Sequence, residues 1–566
     1  MDSERPLSPN ERIKAESRLL RGTIADGLTH TETGALADDD TQLTKFHGFY
    51  QQDDRDLRAE RGKQRMEKAF SFMVRMRVPA GIVTPAQWLA IEKLALERAN
   101  GTIRLTTRET VQFHGILKGN LQSLMQGLND VSLDTIAACG DVNRNVIASV
   151  DPSRRDLYAT ITALARDLSA HLLPRTRAWH EIWLGEEKVA GDVVEDEPIL
   201  GRTYLPRKFK IAIALPPHND TDVFAHDLGF IAIVQRGKIV GYNVVVGGGM
   251  GMTHGEPETY PRTGDVIGFC RPKDAIDVAE KVVTVQRDHG DRSNRKHARL
   301  KYTIDDVGLD RFVALVKERL TARLEPAKAY AFTSTGDRLG WARDVDGTSH
   351  FTVFVENGRI RGKMLTGLHA IAELGVGRFV MTANQNLVLA DIPAASRQDV
   401  ETLLAAHGLD RPVSGLRRSA MACVALPTCG LALAESERYL PDLVTRLEDE
   451  LERFGLREDE ITIRMTGCPN GCARPYVSEI GLVGRTPGIY NLYLGGAHEG
   501  ERLNKLHRRD LDGDAIVAAL SPLFESYARN RKRSERFGDF VIRTGVVNET
   551  TAGLDFHQHL SAEVGN

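Results

Sequence analysis

From Phe70 onward hydrophobic and polar positions alternate. Phe72, Val74, Met76 and Val78 fall on one face, and Met73, Arg75 and Arg77 on the other, which predicts a strand. A helix should follow. Thr84 is a good N-cap, Pro85 suits the first helical position, and Gln87 completes a capping box. Trp88, Ile91 and Ala95 make its buried stripe, and Asn100-Gly101 ends it. A second strand then turns Ile103 and Leu105 inward and sets Arg104, Thr106 and Arg108 opposite. The unit is strand, helix, strand, with arginines along one face.

The same pattern returns near residue 350. SHFTVFVENG reads as a strand closed by an Asn-Gly turn, LTGLHAIAELG as a helix, and GRFVMTANQNLVLADI aligns with GTIRLTTRETVQFHGI. In that alignment Gly377 falls on Gly101, Thr382 on Thr106 and Gln385 on Glu109. A second echo pairs GYNVVVGGG at 241–249 with IYNLYLGG at 489–496. Two echoes in one order predict an internal duplication, each half a small α+β unit followed by a larger domain. Amphipathic helices carry Leu157, Ile161, Leu164 and Leu168, then Ile276, Ala279, Val282 and Gln286, and then Leu440, Val444, Leu447 and Leu451. The expected division is an N-terminal arm at 1–66, half-domains at 67–135 and 329–410, larger domains at 136–328 and 411–550, and a tail at 551–566. Residues 1 to about 45 show no sustained periodicity and read as a mobile arm or a docking segment. The tail after Thr550 reads as frayed.

A chain of 566 residues is too long for one core. Its 42% hydrophobic and 27% charged content is that of a soluble globular protein. A net charge of -3 gives no general attraction to nucleic acid or anionic membrane, so any anion site must be a local concentration of Lys and Arg. No apolar run reaches the length of a membrane span. The charged start lacks a secretory h-region, which predicts a cytoplasmic protein with reduced thiols.

Four of the six cysteines then stand out. Cys423 and Cys429 form a C-x5-C pair, and 38 residues further on Cys468 and Cys472 form a C-x3-C pair in TGCPNGCARP. Two tight clusters brought together supply four thiolates to one metal centre. The spacing and the Cys468-Pro469 step favour an iron-sulfur cluster over zinc, which takes shorter knuckles. Buried apolar thiols are the plain alternative, and Cys139 and Cys270, scattered singly, read that way.

Lys208 and Lys210 in RKFKIAIAL share a strand face with Arg207 opposite, which suits either an anion site or a solvated edge. DRSNRKHARLKY packs Arg292, Arg295, Lys296, Arg299 and Lys301 together, near a Gly247-Gly248-Gly249 loop. Such a cluster grips either nucleic acid or a buried polyanion. His47 and His114 are lone histidines and read as polar core.

The cysteine motifs SAMACVALPTCGLALAESERYLP and MTGCPNGCARP resemble the siroheme and [4Fe-4S] sulfite/nitrite reductase family. KFHGFYQQDDRD, RLTTRETVQFHG, NRNV, HLLPRTRAW, EPILGRTYLPRKFK, YNVVVGGGMG and FGDFVIRTG extend the resemblance, toward the hemoprotein (beta) subunits of assimilatory sulfite reductases, over nearly the whole chain from about residue 45. The resemblance implies an α+β, pseudo-twofold duplicated fold, with ferredoxin-like half-domains and two larger α+β domains around siroheme. It implies that Cys423, Cys429, Cys468 and Cys472 ligate one [4Fe-4S] cluster, with the Cys472 thiolate bridging to siroheme iron. It sets Arg75, Arg144, Lys208 and Lys210 around the anionic substrate. Siroheme carries eight carboxylates, and Arg77, Arg104, Arg108, His114, Arg295, Lys296 and Arg299 are the candidates for its pocket. One departure is Gly140, which stands where the related bacterial subunit has a polar side chain.

The implied activity is six-electron reduction of sulfite to sulfide in cysteine biosynthesis, with a nitrite reductase as the close alternative. A non-catalytic four-cysteine protein gripping nucleic acid is the alternative of another class. The GGGMG run at 247–251 is no dinucleotide fingerprint. Electrons must therefore come from a second protein. By resemblance that is a flavoprotein subunit with FAD and FMN fed by NADPH, with a ferredoxin as alternative.

Overall fold

A computed structural model describes residues 5–176, 196–344 and 346–560, together with the backbone of two short strands, Ile182–Leu184 and Glu187–Ala190. The end of the HLLPRTRAW stretch and residues 561–566 lie outside the described residues.

Four five-stranded sheets come as two matching pairs. The first runs, in spatial order, Phe49–Asp53, Phe70–Arg75, Val111–Ile116, Ile103–Leu105 and Arg359–Ile360. Its counterpart runs Gly340–Arg343, Ser349–Val353, Leu387–Ile392, Arg378–Met381 and Ile82–Val83. Each sheet therefore ends on a strand lent by the other half, Ile360 beside Ile103 and Val83 beside Phe379. The exchange makes the two small units one body. The lent strands follow matching tight turns in which Ala80-Gly81 and Asn357-Gly358 take positive φ. A Cβ on Gly81 would meet the Met381 carbonyl at 2.5 Å, and one on Gly358 the Leu105 carbonyl at 2.4 Å, so only glycine admits the crossing.

The larger sheets also correspond. Ile147–Ala148, Ile211–Ala214 and Leu228–Gln235 run parallel, then Lys238–Val246 and Asp265–Cys270 antiparallel. Ala420–Ala422, Ile463–Thr466 and Ile480–Thr486 run parallel, then Ile489–Leu494 and Lys505–Leu511 antiparallel. The two YN echoes occupy equivalent fourth strands, as a duplication requires.

Local readings hold where pattern is strong. The helix Pro85–Arg98 has its capping box, Thr84 Oγ1 accepting from Gln87 N–H at 3.2 Å and Gln87 Oε1 accepting from Thr84 N–H at 2.9 Å. Trp88, Ile91 and Ala95 are fully buried beneath it. Leu440–Arg453 buries its whole stripe, and Arg155–His171 and Ala275–His289 bury theirs except for Leu157 and Ile276, which are partly buried.

The arm and the tail depart from expectation. Pro9–Glu16, Ile24–Thr29 and Asp38–Leu43 are helices that bury Ile13, Ile24 and Leu43, and the segments between them bury Leu20 and Leu36. Lys14 is buried against Glu11 at 2.5 Å and the Leu205 carbonyl at 2.9 Å, and Glu11 in turn accepts from Arg292 at 2.6 Å. Long-range polar contacts and scattered apolar anchors hold this segment, which leaves no periodicity to read. In the tail Phe556 is buried, stacked with Tyr493.

Candidate functional site

The two cysteine pairs meet because their strands are parallel neighbours. Cys423 directly follows Ala420–Ala422, and Cys468 lies just beyond Ile463–Thr466. Cys423 N–H donates to the Met465 carbonyl at 3.3 Å, and Gly467 N–H reaches the Cys423 sulfur at 3.4 Å. A Cβ on Gly467 would sit 2.5 Å from both Ala425 Cβ and the Ala434 carbonyl. That glycine therefore lets the second loop close on the first. Burial pushes the Cys423, Cys429 and Cys468 thiols up, Cys468 to about 12, and Cys472 adds to the rise in all three. The four sulfurs thus share one field. Among the described residues no three Cys, His, Asp or Glu side chains converge closely enough to hold a single ion, the convergence a four-cysteine zinc centre requires.

Cys472 is exposed, and its sulfur is a charge neighbour of Arg75, Lys208 and Lys210. Lys208 and Lys210 precede Ile211–Ala214, a strand paired on both sides, so they guard no sheet edge. Among the described residues neither ammonium has a hydrogen-bond or ion-pair partner. Burial, then Arg207 and Arg299, lowers Lys208 to about 7, with Cys472 opposing. Burial, then Lys208 and Arg108, pushes Lys210 well below the ordinary range. Arg144 is aimed by its Nε donating to the Gly140 carbonyl at 2.7 Å and its guanidinium to the Ala138 carbonyl at 3.2 Å. Arg75 donates to the Cys139 sulfur at 3.2 Å, and although burial works against its charge, Cys139, Tyr50 and Cys472 hold it above its ordinary value. Arg75, Arg144, Lys208, Lys210 and Cys472 therefore line one site.

The remaining candidates divide. Arg108 lies beside Lys210, donating to the Ile211 carbonyl at 3.0 Å, with its Nε buried and unpartnered. His114 is fully enclosed with both ring nitrogens unpartnered; burial, then Arg359 and Arg104, pushes its pKa well down. Arg104 is committed to Glu437 at 2.5 Å and to the Ala422 carbonyl at 2.9 Å. Arg299 forms a two-pronged pair with Asp227 at 3.0 and 2.8 Å, and Arg295 one with Asp141 at 2.7 and 3.1 Å. The structure does not bring Arg77 or Lys296 to this group. Arg77 donates to Ser169 on a neighbouring helix, and Lys296, 54% exposed, pairs with Glu256 on the surface.

The basic run 292–301 is therefore no nucleic-acid face. Arg292, Arg295 and Arg299 are paired inward, and Lys301 is fully buried, its ammonium donating to the Gly249 carbonyl at 3.2 Å and the Gly251 carbonyl at 2.8 Å. It fastens the glycine loop, whose Met252 N–H donates to the Pro469 carbonyl at 2.9 Å in the cysteine loop.

Arg207 also departs from expectation. Residues 207–210 precede the regular strand, so alternation does not apply, and Arg207 joins the cations, lowered to about 10 by burial and then Arg295. Gly140 has φ +86°, and its Cβ would lie 2.8 Å from the Phe46 ring. A side chain there collides with Phe46.

Sequence reasoning missed Cys139, Tyr50, Arg55 and Glu437. Cys139 read as a core thiol, yet it abuts Arg75. Arg55, inside the KFHGFYQQDDRD stretch, donates to the Ala432 carbonyl at 2.5 Å and clamps the Cys429 loop. Glu437, in the stretch after the first cysteine pair, receives Arg104 and Arg359, while its N–H donates to the Cys423 carbonyl at 3.1 Å. Only its place within a quoted motif marked it.

Four cysteine thiols thus stand beside a partly exposed chamber of cations, with Cys472 common to both. Residues 165–324 and 415–549 match the nitrite and sulphite reductase 4Fe-4S domain, and residues 64–131 and 342–407 the nitrite/sulfite reductase ferredoxin-like half domain. The chain belongs to the nitrite and sulphite reductase family. It is 56% identical over 563 residues to the "sulfite reductase [NADPH] hemoprotein beta-component" of Methylobacterium nodulans, covering 98% of this chain and 94% of that protein. The protein of the same name from Anoxybacillus flavithermus is 54% identical over 559 residues, 98% of each chain. Among solved structures, the NirA protein of Mycobacterium tuberculosis superposes with a TM-score of 0.77 at 26% identity, covering 96% of this chain and 98% of that one.

Proposed function

We propose that this chain reduces sulfite to sulfide, holding siroheme and a [4Fe-4S] cluster and drawing electrons from a flavoprotein subunit. One observation carries the reading: Cys472 lies within electrostatic reach of the three other motif cysteines and also of Arg75, Lys208 and Lys210.

The residues fit both groups. Four thiols in one field, the exposed one toward the chamber, suit a cluster that takes thiolates. Half-buried lysines that have no carboxylate partner among the described residues, beside the unpartnered Nε of Arg108 and ring nitrogens of His114, suit an anionic macrocycle and an anionic substrate. When bound, these groups would supply an iron that takes a sulfur ligand and a store of electrons. Cys423, Cys429, Cys468 and Cys472 would hold the cluster, with Cys472 the one that also neighbours the cations. Arg75, Arg144, Lys208 and Lys210 neutralise sulfite, polarise its S–O bonds and exclude bulk water. Protons pass from the lowered lysines Lys208 and Lys210 to oxygens that leave as water, while the two arginines keep theirs.

Nitrite reductase remains the second reading, since the family includes such enzymes. Two lysines favour the dianion sulfite. In the relatives' names NADPH marks the flavoprotein partner, with a ferredoxin as the alternative donor. A visible spectrum of the purified chain, with sulfite and nitrite turnover from an artificial reduced dye, tests the reading. A preparation lacking siroheme absorbance and sulfite turnover after cofactor-supported expression would overturn it.

A further inference from the structure

Glu109 and Gln385 hold matching places in the two halves, each with left-handed backbone, φ +51° and +69°. Gln385 closes on the strand at Ala420–Ala422: its Nε2 donates to the Ala422 carbonyl at 3.0 Å, and its Oε1 accepts from the Ala422 N–H at 3.3 Å. Glu109 reaches the matching strand at Ile147–Ala148, where its Oε2 accepts from the Ala148 N–H at 3.1 Å. Its Oε1 is fully buried and has no hydrogen-bond partner. An amide both donates and accepts, and an ionised carboxylate only accepts. A carboxylic acid restores the donor that the symmetry calls for. Burial foremost holds this carboxyl well above its ordinary range, with Asp220 and Asp337 adding to the rise and Arg108 opposing.

Asp220 grips the next two residues, its Oδ1 accepting from Ser149 Oγ at 2.5 Å and its Oδ2 from the Val150 N–H at 2.9 Å. Burial lifts its carboxyl to about 7, with Asp337 and Asp151 adding to the rise. It lines a small cavity with Asp151, His218, Asp337 and His350, in which Asp151 Oδ2, 4.0 Å from Arg154, and His350 Nε2 are buried without a hydrogen-bond partner. His218, on the wall of this cavity, is partly exposed to solvent. On the inner side, Arg108, the residue before Glu109, bonds the carbonyl of Ile211 next to Lys210. The charged and titratable groups facing Glu109 are Arg108, Arg474, Tyr158, Asp220 and Asp337, and those around Asp220 are Glu109, Asp151 and Asp337, with His218, Arg338 and His350 lining the same cavity.

We propose that Asp220 and Glu109 form a proton-delivery route from the cavity at His218 to the chamber beside Lys210, with Glu109 carrying its proton as a carboxylic acid. This rests on the sulfite-reducing reading, in which each oxygen lost as water takes two protons. Glu109 gives a proton to the chamber, Asp220 returns one to Glu109, and water in the cavity reloads Asp220. No electron moves along the route, and each carboxyl ends the cycle as it began.

The test uses the full chain with both cofactors, as wild type, Glu109→Gln and Asp220→Asn. Gln385 shows that an amide fits the Glu109 position. Cofactor absorbance and melting should be retained, and the infrared band of a protonated carboxyl should be present in the wild type and lost in Glu109→Gln. With an artificial reduced dye, kcat for sulfite should fall about tenfold or more in both variants. KM should hold, the loss should shrink above about pH 7, where Asp220 no longer carries its proton in the wild type either, and the solvent deuterium isotope effect should rise. Wild-type kcat, pH profile and isotope effect in both variants would overturn the proposal, as would absence of the carboxyl band from the wild type. If Glu109→Gln does not fold, Asp220→Asn decides by the same readouts. A wild type that turns over no sulfite would instead overturn the functional reading, and the infrared band would still test the proton on Glu109.

Discussion

Asp222 accepts from Arg474 across the internal twofold, and the two are equivalent residues. Each is left-handed, φ +48° and +54°, and each opens a short turn, Val223–Ala225 and Pro475–Val477. Arg464 adds a second contact to the same carboxylate at 2.6 Å, and all three side chains are buried. Asp222→Asn should leave two guanidiniums short of charge and cost about 3–5 kcal/mol. Denaturant unfolding measures it, and an unchanged midpoint would show that the halves are held together elsewhere.

Cys429→Ser should abolish the cluster and weaken retention of siroheme, because the proposed ligand set shares Cys472. Iron and acid-labile sulfide analysis of the purified variant reads this directly. Arg55→Ala, which frees the loop clamped at the Ala432 carbonyl, should lower cluster content partially. Full cluster absorbance and turnover in Cys429→Ser would remove that residue from the ligand set.

Lys208→Asn and Lys210→Asn should each lower sulfite turnover far more than nitrite turnover, with both cofactors bound. Sulfite near neutrality is largely a dianion and nitrite a monoanion. One charge-assisted contact is worth about 1.5–3 kcal/mol, or roughly one to two orders of magnitude in discrimination. Equal losses on both substrates would assign the lysines to proton supply or cofactor binding.

Glu437 predicts an acid limit. Burial opposes its charge, but Arg104 and Arg359 prevail and hold its carboxyl down to about 2, below an unfolded value near 4.5. The folded pKa is depressed, so the stabilisation is complete above the unfolded value and is lost as pH falls from about 4.5 toward 2. Its size is about 3 kcal/mol. Wild type should therefore lose stability more steeply than Glu437→Gln between about pH 5 and 3 in denaturant titrations. Parallel curves would mean that the pair forms equally in the unfolded chain.

The sequence by itself determined the repeat, the strand-helix-strand units, the caps and the four-cysteine constellation. These are local signals: side-chain period, cap chemistry at fixed offsets, and cysteine spacing survive in any fold the chain adopts. The family was legible for the same reason, since its motifs are contiguous.

Only the tertiary structure decided how the pieces share residues. The strand exchange at Ile82–Val83 and Arg359–Ile360 involves two residues each, too few to show a period. The packed N-terminal helices are anchored by Lys14 and Glu11 to residues far along the chain. The basic run 292–301 looked the same on paper whether its charges met phosphate, a polyanion or internal carboxylates, because composition fixes charge but not its neighbours. Folding paired Arg292, Arg295 and Arg299 inward with Glu11, Asp141 and Asp227 and left Lys208 and Lys210 without a carboxylate partner among the described residues. Which cations remain free to meet an anion depends on long-range pairing, and that is settled by packing rather than by spacing along the chain.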